Sequence, residues 1–276
     1  MSRPKVHALP TGSIDIRAAI HDGTAYRARQ IVKLLRDRRM ERIPVYAYLV
    51  EHDDGHIVID TGFDHRINEW FPEWGRSFAT IVVGAQDRIG ARIRELGYRP
   101  EDVRIVVPTH MHPDHGGGVG DFPGVDVIVH RPEHDFAMTW YGAPLYQPKR
   151  WPAWFRPKVY DLDPEPYGAF PESLTIANGV RIVAIPGHSK GMVGVVVDSA
   201  DVKLFFSGDH TVREGTFTRD AASGSVPRGT FYPHWRDAVI TQRRLESFVR
   251  QFPTVLVPAH DPDSPRRLDE LTVTRI

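Results

Sequence analysis

The 276-residue sequence contains no cysteine. Disulfide bonds and thiolate metal sites are therefore excluded, so any transition metal must be bound by histidine, aspartate or glutamate. Long apolar runs are also missing: no stretch reaches the roughly 18 residues of a membrane-spanning helix. The opening MSRPKVHALP lacks the apolar segment of a signal peptide. These absences predict a soluble, cytoplasmic protein.

The chain also lacks an excess of charge of either sign, because 35 basic residues are matched by 35 acidic ones. A strongly basic surface for nucleic acid or for a membrane is therefore not expected. We expect a small-molecule substrate as the partner, and a homodimer is an open possibility. With 41% hydrophobic residues, the chain can form one large core. We therefore predict a single α/β domain over residues 1–276.

Hydrophobic periodicity predicts alternating strands and helices. Residues 45–62 are predicted to form two strands around an HDDG turn. Amphipathic helices are predicted over 27–40, over 85–103 with Gly97 as a stop signal, and over 236–253. Further apolar strands are predicted directly before each of the loops that carry histidine or aspartate.

Residues 140–171 differ in composition from the rest of the chain. This segment is rich in proline, tryptophan and tyrosine and has no clean period, which predicts an irregular insertion. Aromatic side chains in a long loop often serve binding. We therefore expect a lid or apolar wall over a site, with four candidate substrate contacts: Trp140, Tyr141, Trp151 and Trp154.

The stretch PTHMHPDHGGG, residues 108–118, concentrates metal-binding side chains. His110 and His112 lie two residues apart, so both can face one metal ion. Asp114 and His115 are adjacent, so they diverge and can hold a second ion nearby. The glycines that follow allow the backbone to wrap tightly beside the ions.

Three later loops supply the remaining donors. His188, Asp209 and His260 each follow an apolar strand. A zinc site needs about four donors, and the Asp209 carboxylate has two oxygens with which it could bridge both ions. Two metals about 3.5–4 Å apart are a common arrangement for hydrolysis.

The motifs THMHPDHGGG, PGHSKG, SGDH and PAHD, with IVIDTG upstream, resemble those of metallo-β-lactamase-fold hydrolases. The resemblance extends roughly from Val45 to His260. It implies an αββα sandwich of two mixed β-sheets flanked by helices. It also implies the following ligand sets: His110, His112 and His188 for the first metal, Asp114, His115 and His260 for the second, with Asp209 bridging and Asp60 as a buried supporting residue.

Within that family, HALPTGSIDI and RIPVYAYLVEHDDGHIVIDTGFD most resemble N-acyl homoserine lactone lactonases, the quorum-quenching enzymes. Those lactonases usually carry a tyrosine three residues after the bridging aspartate. This chain has Val212 there. Tyr26, Tyr141 or Tyr232 could take the place of that tyrosine, and the sequence does not choose among them.

The resemblance implies a hydrolase that opens lactone rings, with hydroxide between two divalent ions attacking the ester carbonyl. Zinc is the expected metal, although iron, manganese or cobalt would also suit these ligands. Asp114 would pass a proton to the leaving alkoxide, and Asp209 would complete the catalytic pair. The alternatives are a glyoxalase-II-like thioesterase, another esterase or phosphodiesterase of this fold, and a metal-binding module without catalysis.

Overall fold

Two β-sheets face each other in the computed structural model of the protein, which describes residues 4–17, 36, 40–71, 73–76, 79–199, 201–223 and 233–276. The first sheet has the order β4-β1-β2-β3-β5-β6-β7 and the second the order β12-β11-β10-β9-β8. Both sheets are mixed. In the first, β3, β5, β6 and β7 are parallel to one another, in the second β11 and β12 are parallel, and the other neighbouring strands are antiparallel.

The strands of the first sheet are β1 (Lys5–Arg17), β2 (Met40–Glu51), β3 (His56–Ile59), β4 (Ala79–Val82), β5 (Val103–Val107), β6 (Asp126–His130) and β7 (Lys158–Tyr160). Those of the second are β8 (Ser173–Ala177), β9 (Val180–Ala184), β10 (Val193–Ser199), β11 (Val202–Gly208) and β12 (Thr254–Pro258). The described α-helices are α1 (Glu73–Arg76), α2 (Ile89–Glu95), α3 (Pro113–Gly116), α4 (Arg131–Ala137), α5 (Ala143–Tyr146), α6 (Glu214–Ser223), α7 (Trp235–Gln251) and α8 (Ser264–Glu270).

The alternation of side chains along the strands builds the layers. On β2, Tyr48 and Val50 point into the core between the sheets, whereas Ala47 and Leu49 belong to the cluster on the outer face. Successive side chains of a strand point to opposite faces, so a strand covered on both sides reads as a continuous apolar run. The first sheet is therefore buried on both faces here.

Helices cover the two outer faces. Ile89 and Ile93 of α2 pack on the first sheet, and Leu245 and Phe248 of α7 pack on the second. The predicted αββα sandwich of two mixed sheets is confirmed. The hairpin predicted over 45–62 and the helix predicted over 236–253 are confirmed as well, as β2–β3 and α7.

The helix predicted over 85–103 was too long. Its α-helical part covers only Ile89–Glu95, and Gly97 follows with φ +87°. A left-handed residue at this position ends a helix, and glycine adopts that conformation without steric cost. Pro100 then begins a short 3₁₀ turn that leads into β5 at Val103.

The helix predicted over 27–40 was wrong at its end, because Met40 already pairs with Arg17 in the β1–β2 ladder. Apart from Arg36, which is helical, the rest of that prediction lies outside the described residues.

The segment 140–171 is largely irregular, with α5 and the three-residue strand β7 inside it. Strand β7 pairs in parallel with β6 at the edge of the first sheet. An edge strand tolerates neighbouring prolines because only one side of it needs hydrogen bonds. Among the described residues, no helix combines the length and the apolar character needed to cross a lipid bilayer.

Candidate metal centre

Strand ends from both sheets meet at one edge of the sandwich. His110 lies three residues after β5 of the first sheet. His188, Asp209 and His260 follow β9, β11 and β12 of the second sheet. The sequence motifs therefore converge because the two sheets bring the ends of their strands to a common edge.

Three histidines, which we call the three-histidine cluster, turn ring nitrogens toward one point: His110, His112 and His188. His112 Nδ1 lies 3.0 Å from His110 Nε2 and 3.0 Å from His188 Nε2. A neutral imidazole has one donor and one acceptor nitrogen, so three converging nitrogens cannot all satisfy one another. A metal ion at this point would accept all three lone pairs.

A second group, the mixed cluster, comprises Asp114, His115, Asp209 and His260. Asp209 Oδ1 lies 3.2 Å from His115 Nε2 and 3.1 Å from His260 Nε2. Asp114 Oδ2 lies 3.5 Å from His260 Nε2 and 3.7 Å from His115 Nε2. Two carboxylates and two imidazoles therefore surround one point.

The Asp209 carboxylate lies between the two clusters. Its Oδ1 faces the mixed cluster, while its Oδ2 lies 3.3 Å from His188 Nε2 of the three-histidine cluster. With one oxygen directed at each group, this side chain has the geometry of a bridging ligand.

The donors fit divalent metal ions. Among the residues that the structure describes, the buried atoms His115 Nε2 and Asp209 Oδ1 have no partner with hydrogen-bond geometry, although they lie 3.2 Å apart. Buried polar atoms are normally paired, and both atoms point into the mixed cluster. The set of imidazole nitrogens and carboxylate oxygens suits zinc and also iron, manganese or cobalt.

The outer nitrogens of two histidines are fixed by hydrogen bonds. His115 Nδ1 lies 2.9 Å from Asp60 Oδ2, and His260 Nδ1 lies 2.8 Å from the carbonyl of Pro44. A donor nitrogen on the outer side leaves the lone pair on Nε2, which faces the cluster.

Asp60 supports this arrangement from the end of β3. Its Oδ1 accepts the backbone N–H of Thr109 at 2.6 Å, and its carboxylate also accepts the Thr109 hydroxyl. Its φ of +58° is rare for a residue other than glycine, and such strain is usually tolerated at functional sites. The Asp60 carboxylate thus lies directly behind His115.

The glycines after His115 allow close backbone contact. A Cβ on Gly118 would lie 2.2 Å from the carbonyl oxygen of Thr61, and one on Gly117 would lie 2.7 Å from the backbone nitrogen of Asp64. Only glycine fits at both positions, which keeps the histidine loop against the segment after β3.

The two clusters differ in their electrostatics. Burial lowers the pKa of His110 and His112, so both are neutral in the three-histidine cluster. In the mixed cluster burial acts in the same direction, but Asp209 and Asp114 outweigh it and raise the pKa of His260 to about 10.

The carboxylates of the mixed cluster shift in the complementary direction. Burial alone would raise the pKa of Asp114, but the neighbouring His115 and His260 lower it to about 2. The pKa of Asp209 is likewise held well below its usual range by His260, His115 and His188, against the effect of burial.

The candidate substrate contacts are distributed unevenly. Trp151 lines a small cavity together with Met111, Pro113 and Tyr146, beside the histidine loop. Trp140 and Tyr141 stack on each other at the surface, with 75% and 64% of their areas exposed, and Trp154 is 46% exposed. Tyr26 and Tyr232 lie outside the described residues.

Two positions, Val212 and Tyr146, bear on the missing tyrosine. Val212 is buried in an apolar cluster with Ile43, Val45 and Phe63, where it is part of the core. Tyr146, which the sequence analysis did not single out, lies with its ring 4.8 Å from that of His112. Its distance of more than 30 residues from His112 left no local signal.

The segment GHSKG, residues 187–191, matches the letters of the G-x-S-x-G nucleophile elbow of serine hydrolases. In that motif the serine is exposed on a strand-to-helix turn. Here Ser189 is only 2% exposed, donates its hydroxyl hydrogen to Glu133, and leads into strand β10. Ser189 is therefore not placed as a nucleophile.

The profile of the metallo-beta-lactamase superfamily matches residues 40–260. The chain belongs to this superfamily. The matched range includes all seven residues of the two clusters and the supporting Asp60.

Several relatives carry the same fold. The chain is 26% identical to an N-acyl homoserine lactonase of Bacillus thuringiensis over 95% of this chain and 94% of that protein. A solved N-acyl homoserine lactone hydrolase, with the product N-hexanoyl-L-homoserine bound at its catalytic metal centre, superposes with a TM-score of 0.77 at 21% identity and 96% coverage of each chain. The dizinc quorum-quenching lactonase AidC superposes with a TM-score of 0.68 at 16% identity, covering 96% of this chain and 90% of that one. Superfamily membership and the lactonase relatives identify the chain as a metal-dependent hydrolase.

Proposed function

We propose that the protein is a dinuclear lactonase, which hydrolyses the ester bond of a lactone ring at two divalent metal ions. The three-histidine cluster would hold one ion, the mixed cluster the other, and Asp209 would bridge them. The observation that carries this proposal is the position of the Asp209 carboxylate, whose two oxygens face the two clusters at 3.1–3.3 Å.

Two such ions, most suitably zinc, activate water near neutral pH and stabilise the negative charge that develops on the carbonyl oxygen. The protein's own residues divide the remaining tasks. Asp209 is 4% exposed and sits between the clusters, where it fixes their spacing. The Asp114 side chain is 16% exposed and so can be reached from the substrate side. We assign to a carboxylate oxygen of Asp114 the transfer of a proton to the leaving alkoxide.

The wall beside the histidine loop supports an apolar acyl group on the substrate. Met111, Pro113, Tyr146 and Trp151 belong to the apolar part of the small cavity there, which Asp64, Gln147 and Arg150 also line. Apolar walls with few polar groups are typical of small-molecule sites. The N-acyl homoserine lactonase that is similar over 95% of this chain favours, as the substrate, a lactone ring that carries an acyl chain.

The thioesterase alternative has less support. Binding the carboxylates of glutathione would need free cations near the C-terminus. Arg266 is paired with Asp263 and Glu270. Arg267 is 4% exposed and donates to Thr274. Two of the three arginines of this segment are therefore already engaged in the protein's own structure, and Arg275 is the exposed one.

The test is a substrate panel with purified protein of measured metal content. Aliphatic lactones, N-acyl homoserine lactones, thioesters and a phosphodiester would be compared. We expect lactone hydrolysis that a chelator abolishes and zinc restores, and we expect His112→Ala to abolish hydrolysis and to reduce the bound metal. Turnover of thioesters or phosphodiesters alone would overturn the lactonase proposal. Full activity and metal content in His112→Ala would overturn the ligand assignment.

A further inference from the structure

Glu133 is a buried carboxylate that the proposed chemistry does not use. It lies on α4, and only 1% of its area is exposed. Within the part of the chain that the structure describes, its hydrogen-bond partners are two backbone N–H groups and a serine hydroxyl, and none is a lysine, arginine or histidine side chain. Burying a carboxylate without a cation costs free energy unless hydrogen bonds compensate it. The hydrogen-bond partners of Glu133 therefore indicate its role.

Glu133 accepts three hydrogen bonds. Its Oε1 accepts the backbone N–H of Met111 at 3.0 Å. Its Oε2 accepts the hydroxyl of Ser189 at 2.7 Å and the backbone N–H of Gly191 at 2.9 Å. Hydrogen bonds to a charged acceptor are stronger than those between neutral groups.

These partners belong to the two loops that carry the three-histidine cluster, the first of which continues into Asp114 and His115 of the mixed cluster. Met111 stands between His110 and His112 in the sequence, and Ser189 directly follows His188. One carboxylate therefore connects the loop of the first sheet with the loop of the second. The contact is close: a Cβ on Gly191 would lie 2.0 Å from the backbone nitrogen of Glu133.

Asp60 occupies the equivalent position for the mixed cluster. It accepts from Thr109 and His115 and so orients a side chain of that cluster. The two buried carboxylates thus serve different clusters from different sides.

We propose that Glu133 is a positioning residue for the three-histidine cluster, which it assembles by fixing the loops of His110–His112 and of His188 to each other. The inference rests on the proposed metal centre and deepens it. Its consequence is selective: loss of the Glu133 contacts weakens metal binding by the three histidines and leaves the mixed cluster unaffected. A carboxylate that merely stabilised the fold would affect both clusters equally.

The experiment measures metal affinity at one cluster at a time. Asp114→Ala removes a ligand of the mixed cluster, and His112→Ala removes one of the three-histidine cluster. Glu133→Gln, which keeps the size and one acceptor oxygen, is introduced into each background. Zinc affinity is measured in competition with a chromophoric chelator, and circular dichroism verifies folding.

We expect Glu133→Gln to weaken zinc binding by about 10- to 100-fold in the Asp114→Ala background, as is usual for residues that support metal ligands. In the His112→Ala background the affinity should stay within about threefold, because Glu133 bonds to Met111, Ser189 and Gly191 and to none of the four side chains of the mixed cluster. The visible spectrum of bound Co²⁺, which reports ligand geometry, should change in the first background alone.

Two further variants guard against a folding defect. Ser189→Ala removes one of the three hydrogen bonds and should produce a smaller loss of zinc affinity, again at the three-histidine cluster alone. This variant tests the role of Glu133 if Glu133→Gln does not fold. Asp198→Asn is the matched control. Asp198 accepts from Lys203 Nζ at 2.7 Å near the opposite end of β10, and its substitution should leave both affinities unchanged.

Equal losses in both backgrounds, or no loss in either, would overturn the role of Glu133 while leaving the proposed metal centre intact. If the Asp114→Ala and His112→Ala proteins each fail to bind zinc before Glu133 is changed, and the parent protein also binds none, the metal centre and this inference are both overturned.

Discussion

The three-histidine cluster and the mixed cluster lie side by side but are held together by different forces. The first consists of neutral rings whose nitrogens converge at 3.0 Å without satisfying one another. The second combines two carboxylates with two imidazole rings whose pKa these carboxylates raise, with Asp209 Oδ1 3.1 Å from His260 Nε2. The mixed cluster therefore contributes to its own assembly, whereas the three-histidine cluster depends on the surrounding loops.

Their surroundings differ in the same sense. The mixed cluster lies beside a packed aliphatic core, since Val212 and Val45 of that core flank the strand ends of Asp209 and His260. The three-histidine cluster lies beside the insertion, where Tyr146 contacts His112. One side of the centre thus packs on the apolar core, and the other faces the irregular insertion.

The largest expected effect comes from Asp209→Asn, because this side chain belongs to both sides of the comparison. The amide keeps the shape but loses the charge that faces both clusters. We expect hydrolysis to fall by about a thousandfold, equivalent to about 4 kcal/mol of transition-state stabilisation. Steady-state kinetics with matched metal analysis measures it. Activity within tenfold of the parent protein would show that the two clusters do not act through Asp209.

The next largest effect is a difference in protein stability between a variant of the mixed cluster and a variant of the three-histidine cluster. In chelator-treated protein, His260→Ala removes a cation from two buried carboxylates and should lower the free energy of unfolding by about 3 kcal/mol. His112→Ala removes a neutral ring and should cost about 1 kcal/mol. Urea unfolding measures both. Equal costs would contradict the view that ion pairs hold the mixed cluster together.

Metal addition provides a third comparison. At zinc concentrations about 100 times the dissociation constant, each occupied site stabilises the protein by about 2.7 kcal/mol. The parent protein should therefore gain about twice as much as either His112→Ala or Asp114→Ala. Thermal unfolding with and without zinc gives the result. Identical gains in parent and variants would indicate a single site.

The smallest effect concerns Val212, in the apolar core beside the mixed cluster. Val212→Tyr restores the tyrosine of related lactonases, but Val212 is only 4% exposed and packed against Ile43 and Val45. Overpacking should cost about 2 kcal/mol of stability without a gain in lactone hydrolysis. A stable variant with increased activity would show that this position faces the substrate after all. Urea unfolding and kinetics on the same preparation decide.

The sequence was informative where neighbouring residues carry the chemistry. Residues 110–115 and the strand-terminal positions 188, 209 and 260 could be found because each follows an apolar strand, and strand ends in this fold meet at one edge. Asp60 was found through its resemblance to a known motif.

Glu133 and Tyr146 could not be found in this way. Glu133 reaches Ser189 across 56 positions of the chain, and Tyr146 reaches His112 from the irregular insertion. Both contacts arise from tertiary packing, which leaves no periodic signal in the sequence. The burial of Val212 could not be predicted from the sequence for the same reason, because its core neighbours include residues of β1, β2 and β4.

The central claim is that two metal ions act together in one centre. The most direct test titrates chelator-treated protein with zinc while lactone hydrolysis is followed. The account predicts that activity rises until two equivalents per chain are bound and then stays constant. Full activity at one equivalent, or hydrolysis that is independent of zinc, would contradict it.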